Sequence, residues 1–130
     1  MDRRSSAAFV TGAAQGVGAA IAESMLASGR PVVIVDRDRD GLSATAERLD
    51  PDGERTHAIV LDLRDAEATA AAFAEAVAVW DGVDVLVNNA AILGNTSLWE
   101  LTIEEWDSVL DTNLRATFIL CRAPRGSAPG

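Results

Sequence analysis

Four short apolar runs alternate with longer, mixed stretches along this chain of 130 residues. The runs at 7–10, 31–35, 57–61 and 83–87 are built mainly from Val, Ile, Leu and Ala. Uninterrupted apolar runs of this length are typical of strands that are buried on both faces, as in a parallel sheet covered by helices. We therefore predict four buried, parallel strands.

The stretches between the runs carry apolar residues at helical spacing. They predict helices at 16–28, 38–49 and 65–80, and a last helix after Thr102, where Glu105 completes a capping box. Strands that alternate with helices through right-handed crossovers give an α/β fold. The expected form is a doubly wound, Rossmann-like parallel sheet with strand order 3-2-1-4. The predicted domain covers residues 1–122, and residues 123–130, rich in Pro and Gly, are predicted to be a disordered tail.

A glycine-rich turn joins the first predicted strand to the first predicted helix. Thr11 is followed by Gly12, Gly16 and Gly18 in the spacing G-x-x-x-G-x-G. Backbone N–H groups and the positive end of a helix attract an anion at such a turn, and glycine lets a phosphate approach the backbone closely. Because ligands of doubly wound sheets bind at the carboxyl ends of the strands, the turn predicts a nucleotide-phosphate site.

Acidic residues follow the other strands at the same end of the predicted sheet. Asp36 lies 18 residues after Gly18, near the spacing at which a carboxylate meets the adenosine ribose and repels a 2′-phosphate. This favours NAD(H) over NADP(H), although Arg37 and Arg39 would attract a phosphate. The alternative is that Asp36 and Asp62 only cap the helices that follow them.

Composition narrows the classes of partner. A net charge of −9 argues against nucleic acid or an anionic membrane surface as a partner. No apolar run reaches the ~20 residues of a membrane helix. The only histidine, His57, has no metal-ligating neighbour in the sequence, so no metal site is predicted. The single cysteine, Cys121, fits a reducing cytoplasm and is predicted to be a small buried group.

In this order along the chain, the motifs resemble those of the short-chain dehydrogenase/reductase family. The matching pieces are Thr11-Gly12-x-x-x-Gly16-x-Gly18, Asp36, Asp62-Leu63, Asn88-Asn89-Ala90-Ala91 and Asn113. The resemblance implies an oxidoreductase that transfers a hydride between NAD(H) and an alcohol or carbonyl. It implies a cofactor site formed by Thr11, Gly12, Gln15, Gly16, Val17, Gly18, Asp36, Arg37, Asp62, Leu63, Asn89, Ala90 and Ala91.

Individual roles follow from the same resemblance. The glycine turn would bind the pyrophosphate, Asp36 the adenosine ribose, and Asp62 with the residue after it the adenine, while residues 89–91 would run beside the cofactor. Gln15 stands where NADP-preferring members often carry a basic residue, which again favours NAD. Asn113 matches the asparagine whose backbone holds a water in the family's proton relay. Alternatively, its amide only bonds neighbouring backbone groups.

The chain departs from the family in its missing second half. Members are much longer and supply a catalytic serine, a tyrosine and a lysine, whereas this chain contains no tyrosine and no lysine. We therefore expect the chain alone to be inactive, as a truncated or frameshifted reading frame or a fragment would be. The alternative is a non-catalytic nucleotide-binding module, or an interaction protein that docks on a full-length relative through its last helix.

A missing half would also leave surfaces uncovered. The fourth strand, 83–87, would lie at an edge of the sheet with open hydrogen-bonding groups. The last helix would expose apolar side chains, among them Trp106, Leu110 and Phe118. We therefore expect marginal stability, and association with a second copy or a relative.

Overall fold

A computed structural model describes residues 7–92 and 95–126 of the chain. Within these residues lies a parallel sheet in the order β3-β2-β1-β4. Its strands are β1 Ala7–Thr11, β2 Val32–Asp36, β3 Thr56–Val60 and β4 Val83–Val87. The parallel register runs from Ala8 opposite Val32 to Thr11 opposite Val35 between the inner strands. The predicted fold class and strand order are confirmed.

Helices cover both faces of the sheet. They are α1 Gly16–Ala27, α2 Arg39–Leu49, α3 Ala66–Trp80, α4 Ile103–Leu110 and α5 Ala116–Arg122, with a π-helical segment Asp111–Arg115 between the last two. Alternate residues of the inner strands enter two separate cores. Phe9 and Val33 pack towards α3 and α5, whereas Val10 and Ile34 pack towards α1 and α2.

Burial differs between the inner and outer strands. All of β1 and the first four residues of β2 are buried, as predicted. The prediction of full burial is wrong for β3 and β4, since Val60 is 41% exposed and most of β4 is exposed or half-buried. Among the described residues, β3 pairs only with β2 and β4 only with β1, so the outer edge of each strand lacks the side chains of a second neighbour.

The helices begin in two different ways. The side chains of Asp38, Asp65 and Thr102 accept a backbone N–H bond in the first turns of α2, α3 and α4. The Thr102 bond comes from Glu105, as the predicted capping box requires. At α1, by contrast, Gln15 makes no side-chain cap and the first turn contains no acidic residue. The N-terminus of α1 therefore lacks the side-chain acceptor that α2, α3 and α4 carry.

The outer surface of the last helical region is apolar. Trp106 is 53% exposed and Phe118 59%, and Leu110 and Leu114 are exposed with them. The predicted exposure of this helix is thus confirmed. None of the helices in the described ranges has the length and apolar character that crossing a membrane requires.

Two features near the end of the described chain bear on earlier predictions. Cys121 is exposed, so the prediction that it is buried is wrong. The helix α5 packs inward through Ala116 and Leu120. Cys121 follows Leu120 directly, so its side chain lies on another face of the helix. Of the predicted tail, residues 127–130 lie outside the described residues. Before them, the Arg125 carbonyl accepts a hydrogen bond from the Val83 N–H at 3.1 Å.

Candidate functional site

A cleft of about 530 Å³ opens at the carboxyl ends of the strands. It lies where a doubly wound sheet binds its ligands. Most of the residues predicted to bind a cofactor line it, although they come from four separate stretches of the chain. These are Gly12, Gln15, Gly16, Asp36, Arg37, Asp62, Leu63, Asn89, Ala90 and Ala91.

The glycine turn is tightly packed at two of its glycines and open at the third. A Cβ on Gly18 would lie 2.0 Å from the Gly12 carbonyl oxygen, and one on Gly12 would lie 2.9 Å from the Ala90 Cα. Gly16 has φ +60° and no atom within 4 Å of a Cβ built on it. Packing of the protein therefore requires two of the glycines, while the third leaves open space beside the cleft.

Three residues predicted for the site do not line the cleft. Thr11 is only 1% exposed, and its hydroxyl accepts bonds from the N–H groups of Asn89 and Ala90, both at 3.0 Å. Gly18 is buried behind the turn, and Val17 is 67% exposed outside it. Thr11 thus holds the segment after β4 against the glycine turn through these two hydrogen bonds.

Asp36 lies half-buried at the end of β2, and both of its carboxylate oxygens are engaged. Oδ2 accepts a bond from the Ala14 N–H and Oδ1 one from the Asp38 N–H, each at 3.0 Å. The helix caps are Asp38 and Asp65, so the alternative that Asp36 and Asp62 serve as caps is wrong. Since a carboxylate has about four lone-pair positions, Asp36 retains acceptor capacity towards the cleft.

Asp62 is paired with Arg64 at the end of β3. The Arg64 guanidinium donates hydrogen bonds to both carboxylate oxygens, with Nε 3.0 Å from each. These bonds hold the pKa of Asp62 below its usual value, although burial acts in the opposite direction. The backbone N–H of Arg64 and the charge of Arg37 lower it further. Asp62 therefore presents a negative charge at neutral pH.

Asn113 lies in the π-helical segment and does not line the cleft. Its amide makes two hydrogen bonds to one residue: Oδ1 accepts from the Ile92 N–H and Nδ2 donates to the Ile92 carbonyl, both at 2.9 Å. The side chain thereby ties the last helix to the segment that follows β4. π-Helical turns are frequent at functional sites. The two bonds use the side chain of Asn113, whereas the relay role that the family resemblance implies belongs to its backbone and stays a prediction.

Other residues line the cleft that the sequence did not indicate, namely Ala14, Val35, Asp38, Leu61, Ile92 and Thr112. Most of them adjoin a predicted residue, so proximity along the chain is a signal that could have found them. Thr112 is different, because it lies in a helix far along the chain and reaches the cleft only through the tertiary fold.

Comparison with known proteins gives the family. The sequence model of the short chain dehydrogenase family matches residues 6–125. D-threitol dehydrogenase of Mycolicibacterium smegmatis is 37% identical over 116 residues, which are 89% of this chain and 45% of that protein. The short-chain reductase protein NovJ of Streptomyces niveus is 43% identical over 112 residues, 86% of this chain and 43% of NovJ. The chain thus spans about half the length of the curated relatives it matches.

A solved structure agrees in both fold and sequence. The crystal structure of a metagenomic short-chain oxidoreductase in complex with NADP superposes with a TM-score of 0.85 at 35% identity. The match covers 92% of this chain and 54% of that one. The fold of the sheet agrees with this match, and the chain belongs to the short-chain dehydrogenase/reductase family.

Proposed function

We propose that this chain is the NAD(H)-binding part of a short-chain dehydrogenase or reductase, with the domain spanning residues 1–122. One observation carries the proposal. The glycine turn, Asp36, Asp62 and residues 89–91 converge on a single cleft at the carboxyl ends of the strands. A dinucleotide needs this combination of a phosphate cradle, a ribose acceptor and a base pocket at one switch point of the sheet.

The donors around the cleft suit a pyrophosphate. The first turn of α1 has neither a side-chain cap nor an acidic residue, so its backbone N–H groups and helix dipole are available to an anion. Gly16 leaves open space above this turn. Arg37 is the only basic residue among the described residues that line the cleft, so backbone groups would supply most of the attraction for the phosphates.

The preference for NAD(H) over NADP(H) rests on Asp36. Its carboxylate is held by two backbone N–H groups at the edge of the cleft, where an added 2′-phosphate would meet a negative charge. Arg37 lines the same cleft and opposes this effect. The related oxidoreductase that was crystallised binds NADP, so membership of the family does not decide between the two cofactors.

The nicotinamide ring would supply the hydride chemistry, and the protein would bind and orient it. In the family, a tyrosine acts as the general acid or base beside a lysine, and this chain contains neither residue. We therefore propose that the 130-residue chain binds cofactor without turnover, because binding alone does not stabilise a transition state. The backbone of Asn113 would hold the relay water, as the family resemblance implies, but without the tyrosine and lysine that complete the relay. The single cysteine supports a reducing, cytoplasmic setting.

Calorimetric titration with NAD⁺ and NADP⁺ tests the proposal. We expect tighter binding of NAD⁺, and Asp36→Ala should narrow the difference by about tenfold. The ratio of the two affinities is the readout. Asp36→Ala also removes the acceptor of the Ala14 N–H, which should weaken the binding of both cofactors. Asp52→Ala, which removes the same charge from an exposed turn, is the control. Stronger binding of NADP⁺ to the unmodified chain would refute the preference, and binding of neither would refute the proposed function.

A second candidate function, an interaction module, is supported by one specific observation. Trp106, Leu110, Leu114 and Phe118 form an exposed apolar stripe along the last helical region. Such a surface favours association with a second copy or with a full-length relative. Light scattering over a concentration series measures this association, and a monomer at every concentration would argue against it.

A further inference from the structure

We propose that Thr45 is a positioning residue for the dinucleotide site, although it lies on α2 and does not line the cleft. Its hydroxyl donates a hydrogen bond to the Ala14 carbonyl in the glycine turn at 2.9 Å. The side chain is 4% exposed, so water does not compete for this bond. The inference rests on the proposed function, because it assigns Thr45 a role towards the cofactor of that site.

The bond made by Thr45 is not the one that a helical threonine normally makes. A threonine within a helix usually bonds the carbonyl four residues earlier. Thr69 on α3 does so: its hydroxyl donates to the Asp65 carbonyl at 2.7 Å and its side chain is fully buried. Thr45 instead reaches a carbonyl 31 residues away in sequence. Its hydroxyl therefore links two elements, whereas that of Thr69 serves only its own helix.

The acceptor, Ala14, is held on both sides. Its N–H donates to Oδ2 of Asp36 at 3.0 Å, and its carbonyl accepts from Thr45. One residue of the glycine turn thus connects the acid expected to bind the ribose with a buried hydroxyl on the following helix. A change at Thr45 would be transmitted to the turn and to the carboxylate together.

The same bond sets the direction of the next amide. In a trans peptide the N–H points opposite to the carbonyl. Because the Ala14 carbonyl is directed at Thr45, the Gln15 N–H is directed away from α2. The next two residues both line the cleft: Gln15 is the N-cap of α1, and Gly16 is its first residue. Thr45 therefore orients backbone donors at the point where the pyrophosphate is expected.

Close packing keeps α2 next to the turn. A Cβ on Gly41 would lie 2.3 Å from Oδ2 of Asp38 and 3.1 Å from the Ala14 Cβ. Asp38 in turn caps α2 and donates its own N–H to Asp36. The first turn of α2 and the glycine turn thus form one packed unit, in which the Thr45 hydroxyl has a fixed target.

A matched pair of variants tests the inference. Thr45→Val and Thr69→Val each delete one buried hydroxyl with little change of shape. We expect Thr45→Val to weaken NAD⁺ binding about fivefold, from the loss of a buried hydrogen bond that pre-orders the site. Thr69→Val should change the affinity by less than about twofold, since the Thr69 bond stays within α3 and does not reach the glycine turn. Thr45→Ser keeps the hydroxyl and should bind like the unmodified chain.

Calorimetry with NAD⁺ on the full chain gives the affinities, and urea unfolding gives the stability of each variant. Equal affinity of Thr45→Val and the unmodified chain would overturn the inference, as would an equal loss in Thr69→Val. If Thr45→Val does not fold, Thr45→Ala and Thr69→Ala, which add no bulk, replace the pair under the same criteria. Binding by the unmodified chain without a Thr45 effect refutes only this inference. No NAD⁺ binding by the unmodified chain refutes the proposed function as well.

Discussion

At the amino end of the sheet, Asp50 joins a network of hydrogen bonds that connects backbone segments. Its Oδ2 accepts bonds from the N–H groups of Arg55 and Thr56 at 2.9 Å and from the Thr56 hydroxyl at 2.8 Å. The Arg55 guanidinium then donates to the carbonyls of Leu26 and Arg30 at the end of α1. These bonds tie α1, α2 and the start of β3 together.

At the carboxyl end, Asp36 uses the same chemistry with a different outcome. It also accepts backbone N–H bonds, but only one on each oxygen, and it faces a cleft of about 530 Å³. The two bonds hold the glycine turn and the start of α2 in place, and the Asp36 carboxylate keeps acceptor positions beside the open cleft. Aspartate therefore stabilises the fold at one end of the strands and leaves acceptor positions beside an open cleft at the other.

The largest effect is expected from closing the space within the glycine turn. Gly18→Ala would place a Cβ 2.0 Å from the Gly12 carbonyl oxygen, so backbone must move. We expect a loss of about 3 kcal/mol in the free energy of unfolding, typical of severe overpacking. Urea unfolding measures it.

Gly16→Ala is the matched control for Gly18→Ala. A Cβ at Gly16 meets no atom within 4 Å, and only the φ of +60° is unfavourable for alanine. The expected cost is about 1 kcal/mol. Equal stability of the Gly18→Ala variant and the unmodified chain would show that the turn is not packed as described.

A smaller effect is expected from removing Asp50, the acid at the amino end of the sheet. Asp50→Ala deletes three hydrogen bonds, so we expect the free energy of unfolding to fall by about 2 kcal/mol. Affinity for NAD⁺ should not change at a temperature where the variant is folded, since the cleft lies at the opposite end. Calorimetry and urea unfolding test both parts, with Asp52→Ala as the control for charge. A loss of affinity equal to that of Asp36→Ala would remove the distinction between the two ends.

The smallest effect is expected from protonating Asp50 at the amino end of the sheet. Burial tends to raise the pKa of Asp50, but the bonds from Arg55 and Thr56 outweigh it and hold the pKa below the ordinary value of 3.8. A depressed pKa in the folded state contributes stability above the unfolded pKa, and this contribution is lost as the pH falls through the folded pKa. Stability should therefore decline in acid, below the ordinary aspartate range.

Asp50→Asn tests this assignment, because an amide oxygen can accept the same bonds without titrating. Its unfolding midpoint in urea should be lower at neutral pH and should change less on acidification than that of the unmodified chain. Identical pH profiles would show that other carboxyls, such as Asp62, account for the acid sensitivity.

Much of the fold could be predicted because its signals are local. The apolar run at 83–87 coincides with β4, and the capping box at Thr102 marks the start of α4. The strand order followed from the alternation of strands and helices. The exposure of β3, β4 and Cys121 was not predictable in the same way, since periodicity does not say how completely neighbours cover an element.

The candidate site divides in the same manner. The glycine turn, Asp36, Asp62 and residues 89–91 were predicted because each follows a strand, and parallel strands end on one side of the sheet. The hydrogen bonds that connect these segments to the helices could not be predicted. Thr45 reaching Ala14 and Asn113 reaching Ile92 join residues more than twenty positions apart, and nothing in the local sequence signals either bond.

By itself, the sequence determined which residues form strands and helices, in what order they connect, and which polar groups gather at the carboxyl ends. These properties depend on spacing and residue type, which are local. The tertiary structure decided which hydrogen bonds those polar groups make. It gave Asp36 two backbone donors and left acceptor positions of the carboxylate facing the cleft. It also directed the Thr45 hydroxyl to the Ala14 carbonyl, outside its own helix. A hydrogen bond depends on distances of a few tenths of an ångström, and only the packing of α2 against the turn sets them.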